Sequence, residues 1–244
     1  FPTRRSSDLP PDPTPDPNPS ERPTASGPGV ANANANAIAI DFVSDVACPW
    51  CVIGLHALEA ALVRTGLRAE IRFQPFELNP GMSAEGEEVI AHLQAKYGIT
   101  SAQIADNQQR IRERGAELGF AFGKRTRIWN TFDAHRLLHA AGEQDLATQG
   151  RLKHALLRAY HAEGLNSGDP EVLRRCAEQA GLQDAQAVLA DPQRHAHAVR
   201  EAQAFWQAAG IRAVPAVVLQ RRRVVSGGQP VEVFEQALRS VAPG

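Results

Sequence analysis

The sequence predicts an α/β fold in which a small sheet is interrupted by a long helical block. Three observations carry this. A β-type run, Ile38-Ala39-Ile40-Asp41-Phe42-Val43, leads directly into a helix that opens on Cys48-Pro49-Trp50-Cys51. From about Ser83 to Ala209, roughly 120 residues repeat apolar positions at helical spacing with no strand signal. Two short β-type runs around a charged turn then precede a last helix.

Taken in order, the first strand ends at Ser44, and Pro49 suits the first turn of a helix, where its missing N–H costs nothing. Leu55, Leu58, Leu62 and Val63 carry that helix to a stop at Gly66. Residues Ala69 to Phe76 alternate and meet Pro75, which predicts a second strand followed by an Asn79-Pro80-Gly81 turn. Strand, helix and strand make a βαβ unit, whose crossover is expected to be right-handed. In the helical block, breaks are expected at Gly98, Gly119 to Gly123, Gly142, Gly164 to Asp169, Gly181 and Pro192. Leu137, Leu138 and Ala141, then Leu152, Leu156, Leu157 and Tyr160, form apolar stripes. Asp169-Pro170-Glu171 combines an N-cap, a proline at the first helical position and a first-turn acid. Ala216 to Leu219 and Arg223 to Ser226 read as a hairpin, and Val231 to Val241 as the closing helix.

The chain has 244 residues, 43% hydrophobic and 22% charged, with a net charge of −1. That balance points to neither a nucleic-acid nor a membrane-surface partner. No apolar run approaches the roughly 18 residues of a membrane span. Residues 1–36 hold nine prolines and too little apolar surface to offset the entropy of ordering them, so a disordered tail is expected there. Its first nine residues, Phe1-Pro2-Thr3-Arg4-Arg5-Ser6-Ser7-Asp8-Leu9, resemble the conceptual translation of a sequencing-library adapter and are read as an assembly artefact. The tail has no apolar segment of the kind an export signal needs. Arginine outnumbers lysine 23 to 3, as GC-rich codons would supply, which suits a bacterial source.

The chain has three cysteines, of which Cys48 and Cys51 are spaced C-x-x-C. Thiol–disulfide exchange needs one accessible thiolate and a second thiol near enough to resolve the mixed disulfide. A helix N-terminus favours negative charge and lowers a thiol pKa, which makes Cys48 the expected nucleophile. Cys51, one turn in, is the expected resolving thiol. Such a pair is also half of a zinc site, but there is no second C-x-x-C, and Cys176 with a distant histidine would have to complete the ligands. No metal is expected.

The strand before Cys48, the Cys-Pro-Trp-Cys helix start and the Ala213-Val214-Pro215 step before a hairpin resemble the thioredoxin superfamily; the large helical insertion resembles its DsbA branch. Residues Ser44 to Gly54, Pro75-Phe76-Glu77-Leu78-Asn79-Pro80, Asp133-Ala134-His135-Arg136-Leu137 and Ser226-Gly227-Gly228-Gln229-Pro230 are similar to the DsbA-family proteins called FrnE-like, over about Ile38 to Val241. The resemblance implies a thioredoxin fold with an all-helical insertion: a domain from 37 to 244, its thioredoxin part 37–82 and 210–244, its insertion about 83–209. It also implies a cis Pro215 beside the cysteine pair, with Val214 offering its backbone to an extended substrate. An X-Pro bond adopts cis at modest cost, although trans is the commoner form. DsbA carries a histidine between its cysteines, whereas Trp50 brings bulk without charge, so a less oxidising protein is expected. Asp41 and Asp45 are candidates to relay the Cys51 proton, or else a solvated acid and a turn-former.

The implied activity is that of a thiol–disulfide oxidoreductase or isomerase in the bacterial cytoplasm, acting on a disulfide- or thiol-containing protein or small molecule. It needs no cofactor beyond its own cysteine pair, with glutathione as a possible co-substrate. The alternative on the same scaffold is a glutathione-dependent kappa-class transferase or 2-hydroxychromene-2-carboxylate isomerase, which generally has serine where Cys48 stands. His135, with Asn130 and Asp133, matches the family pattern and reads as structural or cleft-lining. Cys176 reads as a small buried hydrophobe, and Arg221-Arg222-Arg223 as a solvated hairpin tip. Gly119 to Lys124 only superficially resembles a phosphate loop.

Overall fold

The computed structural model describes residues 37–242; the Pro-rich segment 1–36, with its adapter-like start, lies outside the described residues. Strand β1 (Ile38–Ser44) sits at the centre of the main sheet and sends its side chains to opposite faces. Ile38, Ile40 and Phe42 pack into a core with Val52, Leu55 and Leu58 of α1 (Pro49–Thr65). Val43 enters a separate cluster on the other face. Gly66 ends α1 in the left-handed conformation, φ 66°, its N–H bonding the Leu62 carbonyl. Strand β2 (Ala69–Pro75) runs parallel to β1 from Ile38↔Ala69 to Ser44↔Pro75.

The block that follows is mainly helical. It contains α2 (Val89–Tyr97), α3 (Ser101–Glu117), α4 (Phe132–Gln144), α5 (Leu146–His161), α6 (Pro170–Ala180), α7 (Ala185–Ala190) and α8 (Ala196–Ala208). The expectation of no strand here is corrected by a two-residue ladder, β3 (Glu87–Glu88) with β4 (Arg127–Ile128). Two residues per strand are too short to leave a period in the sequence. The Arg127 guanidinium reinforces the ladder by donating to the carbonyls of Glu85 and Gly86. Gly142 does not break a helix either. It lies inside α4, where a Cβ would come within 2.7 Å of the Gln149 side chain, and the true break is Asp145, which caps α5 through Thr148 N–H. Asp169 caps α6 as the sequence indicated, accepting from Glu171 N–H. Cys176 is buried in the helical core among Leu173, Ala177 and Leu182.

After α8 the chain re-enters the sheet. Strand β5 (Ala216–Leu219) pairs antiparallel with β1, and β6 (Arg223–Ser226) pairs with β5, giving the order β2-β1-β5-β6. The three-residue turn between them holds Gln220 and Arg221 at φ 51° and 53° and is closed by Arg222 N–H donating to the Leu219 carbonyl at 2.9 Å. Arg221 to Arg223 are exposed there. Helix α9 (Val231–Val241) packs Phe234 and Leu238 on the same core as α1. Insertion and sheet are stitched by Gln149 of α5. Its carboxamide accepts from Phe73 N–H at 3.0 Å and donates to Phe73 carbonyl at 3.1 Å, pairing the outer edge of β2 as another strand would. Gln203 of α8 accepts from Glu77 N–H at 3.1 Å and donates to the Glu77 carboxylate at 3.0 Å. No described helix is long and apolar enough to cross a membrane.

Candidate active site

Cys48 is the N-cap of α1, with φ −86° and ψ 114°, and Pro49 follows at the first helical position. The backbone N–H groups that open a helix therefore surround its sulfur. Cys51 N–H donates to the Cys48 carbonyl at 3.1 Å, which places the second thiol one turn along on the same face. Both thiols are free, Cys48 4% exposed and Cys51 fully buried. The Cys51 thiol hydrogen bond is the main influence lowering the Cys48 pKa; burial and the Asp45 charge oppose it, and the Cys51 and Trp50 N–H groups assist. Cys51 is pushed well above the usual thiol value by burial, then by its bond to Cys48 and the Cys48 charge. The pair is thus polarised: one sulfur is prepared to be a thiolate and the other holds its proton.

The Val214–Pro215 peptide is cis, and the Cys48 thiol donates to the Val214 carbonyl at 3.5 Å. Two glycines make this approach possible. A Cβ on Gly54 of α1 would fall 2.8 Å from Pro215 Cγ, and one on Gly228 would lie 3.0 Å from the Trp50 carbonyl and 3.1 Å from its ring. The Ser226-to-Pro230 motif therefore packs directly on Trp50. Tyr97 at the end of α2 is half-exposed, and its pKa is raised first by burial and then by the Cys48 charge.

The two candidate acids part company. Asp41 is corrected: it points to the face of β1 opposite Phe42 and α1, and its carboxylate accepts from Gln74 at 2.7 Å. The pleat alternation puts it on the wrong side of the sheet to reach Cys51. Asp45 lies directly before the pair, and its buried carboxylate accepts from Ala47 N–H at 3.1 Å, Leu78 N–H at 2.7 Å and Thr131 hydroxyl at 2.8 Å. His135 Nε2 stands 3.6 Å away. Burial alone would raise the Asp45 pKa, but His135, the Leu78 N–H and the Thr131 hydroxyl bring it below the ordinary carboxylate value. With its oxygens so engaged, Asp45 fixes the loop that presents Cys48. His135 is buried and lines a cavity of about 210 Å³.

Two groups the sequence reading passed over complete the site. Lys153 of α5 is wholly buried, its ammonium has no hydrogen-bond partner among the described residues, and it lies 5.8 Å from the centroid of the Phe73 ring. Burial lowers its pKa, against the charges of Cys51, Asp45 and Cys48. His161 Nε2–H donates to the Val46 carbonyl at 2.8 Å, and burial followed by the Arg125 charge takes its pKa well below the ordinary value. Both were detectable. Lys153, Leu157 and His161 are successive i+4 positions on a stripe shared with Leu156 and Tyr160, so a lysine and a histidine interrupt an apolar face.

Comparison with known proteins agrees with this geometry. The chain is 28% identical over 210 residues to the uncharacterized protein YwbO of Bacillus subtilis, covering 82% of this chain and 96% of YwbO. Among solved structures, the probable DsbA oxidoreductase SCO1869 from Streptomyces coelicolor is 37% identical, with a TM-score of 0.77 over 84% of this chain and 89% of that one. The cytosolic disulfide reductase DsbM from Pseudomonas aeruginosa, solved with GSH, shares the fold at 20% identity and a TM-score of 0.58, over 83% of this chain and 98% of that one. Residues 39–239 match the DSBA-like thioredoxin domain, and with the sheet order, the inserted helices and the Cys48–Cys51 helix start in place, the chain belongs to that family of thioredoxin-fold oxidoreductases.

Proposed function

We propose that this protein is a thiol–disulfide oxidoreductase in which Cys48 attacks and Cys51 resolves. The observation that carries the reading is geometric: Cys48 caps the start of α1, Cys51 follows one turn in, and the cis Val214–Pro215 step meets the Cys48 thiol. In the reducing direction the Cys48 thiolate attacks one sulfur of a substrate disulfide. The S–S bond breaks, a Cys48–substrate disulfide forms, and the departing thiolate takes up a proton. Cys51 then loses its proton and attacks the Cys48 sulfur, which closes the Cys48–Cys51 disulfide and releases the second substrate thiol. Two electrons pass to the substrate, and the oxidation of a substrate dithiol is the same sequence reversed.

Lys153, rather than Asp41, is the group suited to take the Cys51 proton, because burial favours its neutral amine and its charge, once formed, favours the Cys51 thiolate. Val214 and Pro215 form the platform for an extended substrate segment, and Trp50 and Tyr97 flank it. Glutathione is proposed as a co-substrate that returns the disulfide to the dithiol. The likeness to DsbM supports that choice and a bacterial cytoplasmic setting, where the pair rests largely as thiols. The FrnE-like subdivision rests on the four sequence motifs.

Insulin-disulfide reduction by wild type, Cys48→Ser and Cys51→Ser tests this. Cys48→Ser is expected to lose all turnover, and Cys51→Ser to accumulate a mixed disulfide with its substrate. Turnover persisting in Cys48→Ser would refute Cys48 as the attacking thiol, and a wild type that reduces no insulin would refute the redox reading and favour the glutathione-dependent isomerase or transferase, which acts without a resolving thiol. With uncharged Trp50 between the cysteines, the Cys48 pKa, though lowered, is expected to stay above that of DsbA. A thiolate titration with a midpoint below that value would overturn the expectation of a weaker oxidant.

A further inference from the structure

On α4, His139 and Glu143 stand four residues apart and one above the other. His139 Nε2 is 3.2 Å from one Glu143 oxygen, and His195 Nδ1, from the start of α8, is 3.6 Å from the other. The three side chains offer two imidazole nitrogens and a carboxylate oxygen, all within 4.8 Å of one another. Zinc bonds of about 2.0–2.1 Å set neighbouring tetrahedral ligands roughly 3.3 Å apart, so closing the cluster on an ion needs movements of about an ångström.

We propose that His139, Glu143 and His195 form a binding site for a divalent transition-metal ion, with zinc as the representative. Two imidazoles and one carboxylate suit zinc and its transition-metal neighbours, whereas magnesium and calcium prefer oxygen alone. Three protein ligands leave a fourth position open. His139 and Glu143 also line the cavity of about 210 Å³, which gives the ion an entry path and room for water or a small ligand.

The fold holds the third ligand in place. Arg136, one turn before His139 on the same helix, is buried, and its guanidinium donates to the carbonyls of Val188, Asp191 and Arg194, the last at 2.9 Å. Asp133 at 2.7 Å balances its charge, and Arg194 is paired with Asp184 at 2.8 Å. The helix that carries two ligands therefore also clamps the loop that ends at His195. His195 adopts φ 60°, a conformation uncommon for residues other than glycine and asparagine, and its ring lies 5.2 Å from that of His139. The side chains of His195 and His139 remain 15% and 29% exposed, within reach of an aqueous ion.

The test is calorimetric titration of Zn2+ into the untagged full chain bearing Cys48→Ser and Cys51→Ser, which removes the competing thiols. One ion is expected to bind per chain and to raise the thermal midpoint. His139→Asn, Glu143→Gln and His195→Asn, the last chosen because asparagine tolerates the left-handed backbone, are each expected to weaken binding at least about tenfold. His197 pairs with Glu201 at the same i,i+4 spacing on α8 but without a third ligand, so His197→Asn is expected to leave binding unchanged. Absence of Zn2+ binding, equal affinity in the His139 and His195 variants, or equal loss in His197→Asn would overturn the proposal.

Discussion

Lys153 carries an ammonium that no oxygen among the described residues receives, in a site where burial already favours its neutral form. A lysine whose folded pKa is lowered gives up its proton at a lower pH folded than unfolded, so its burial subtracts from stability everywhere below about pH 10.5, neutral pH included. Lys153→Met is expected to raise stability by on the order of 1 kcal/mol or more in thermal or denaturant unfolding. The same change removes the charge that draws the Cys51 pKa down, so release of the mixed disulfide should slow and its pH profile move alkaline. A variant less stable than wild type, or as fast at resolving, would refute the assignment. The residue scale also separates what was legible from what was not. Cys48 and Cys51 announce themselves by local spacing and type, and Pro215 by the family resemblance. Asp41 misled because proximity in sequence does not say which face of a strand a side chain takes. Lys153 reaches the site from a helix about a hundred residues on, and only its place on an apolar stripe could have marked it.

At the scale of elements, α1 and the loop before β5 meet where there is no room for a side chain. Alanine is favoured over glycine in a helix interior by about 1 kcal/mol, so Gly54→Ala would stabilise an isolated α1. In the protein its Cβ meets Pro215 Cγ at 2.8 Å, and overpacking of that kind typically costs about 1–3 kcal/mol. Gly54→Ala is expected to lower stability on balance and to reduce insulin reduction by more than about tenfold, since the displaced loop carries the Val214 carbonyl that meets the Cys48 thiol. Unfolding and turnover measured on one preparation check both, and a more stable, fully active variant would contradict the account. The helix starts and stops were readable where a cap or a left-handed glycine marks them, as at Gly66, Asp169 and Gly181. Gly142 was misread because its smallness serves a neighbour, the Gln149 carboxamide, and not its own backbone.

For the whole molecule, two buried groups, His161 and Asp45, tie stability to pH in one direction on the acid side. His161 has its folded pKa well below 6.5, so the native state stays neutral while the unfolded chain takes up a proton. Its contribution is complete above about pH 6.5 and declines as pH falls from there towards the folded value. Asp45, also lowered from its ordinary value of 3.8, adds a second loss only under more acid conditions. Stability is therefore expected to begin falling near pH 6.5, and His161→Gln to flatten that first decline while leaving the later one. Denaturant unfolding across pH 4–8 checks this, and a wild-type profile already flat between pH 5 and 7 would contradict it. The order of strands and helices could be read from periodicity because each element is long enough to repeat. The join between insertion and sheet could not, since it is made by single side chains far apart in sequence. That join has an evolutionary side. An inserted helical block is usually pictured as a lid that could be shortened or exchanged without harm to its host. Here Gln149 and Gln203 occupy the outer backbone groups of β2 and its exit, a border that would otherwise be free to recruit β-strands from other chains. The helices thus act as a terminal strand in disguise, and a lineage that lost them would have to invent another guard against polymerisation before it could keep the chemistry.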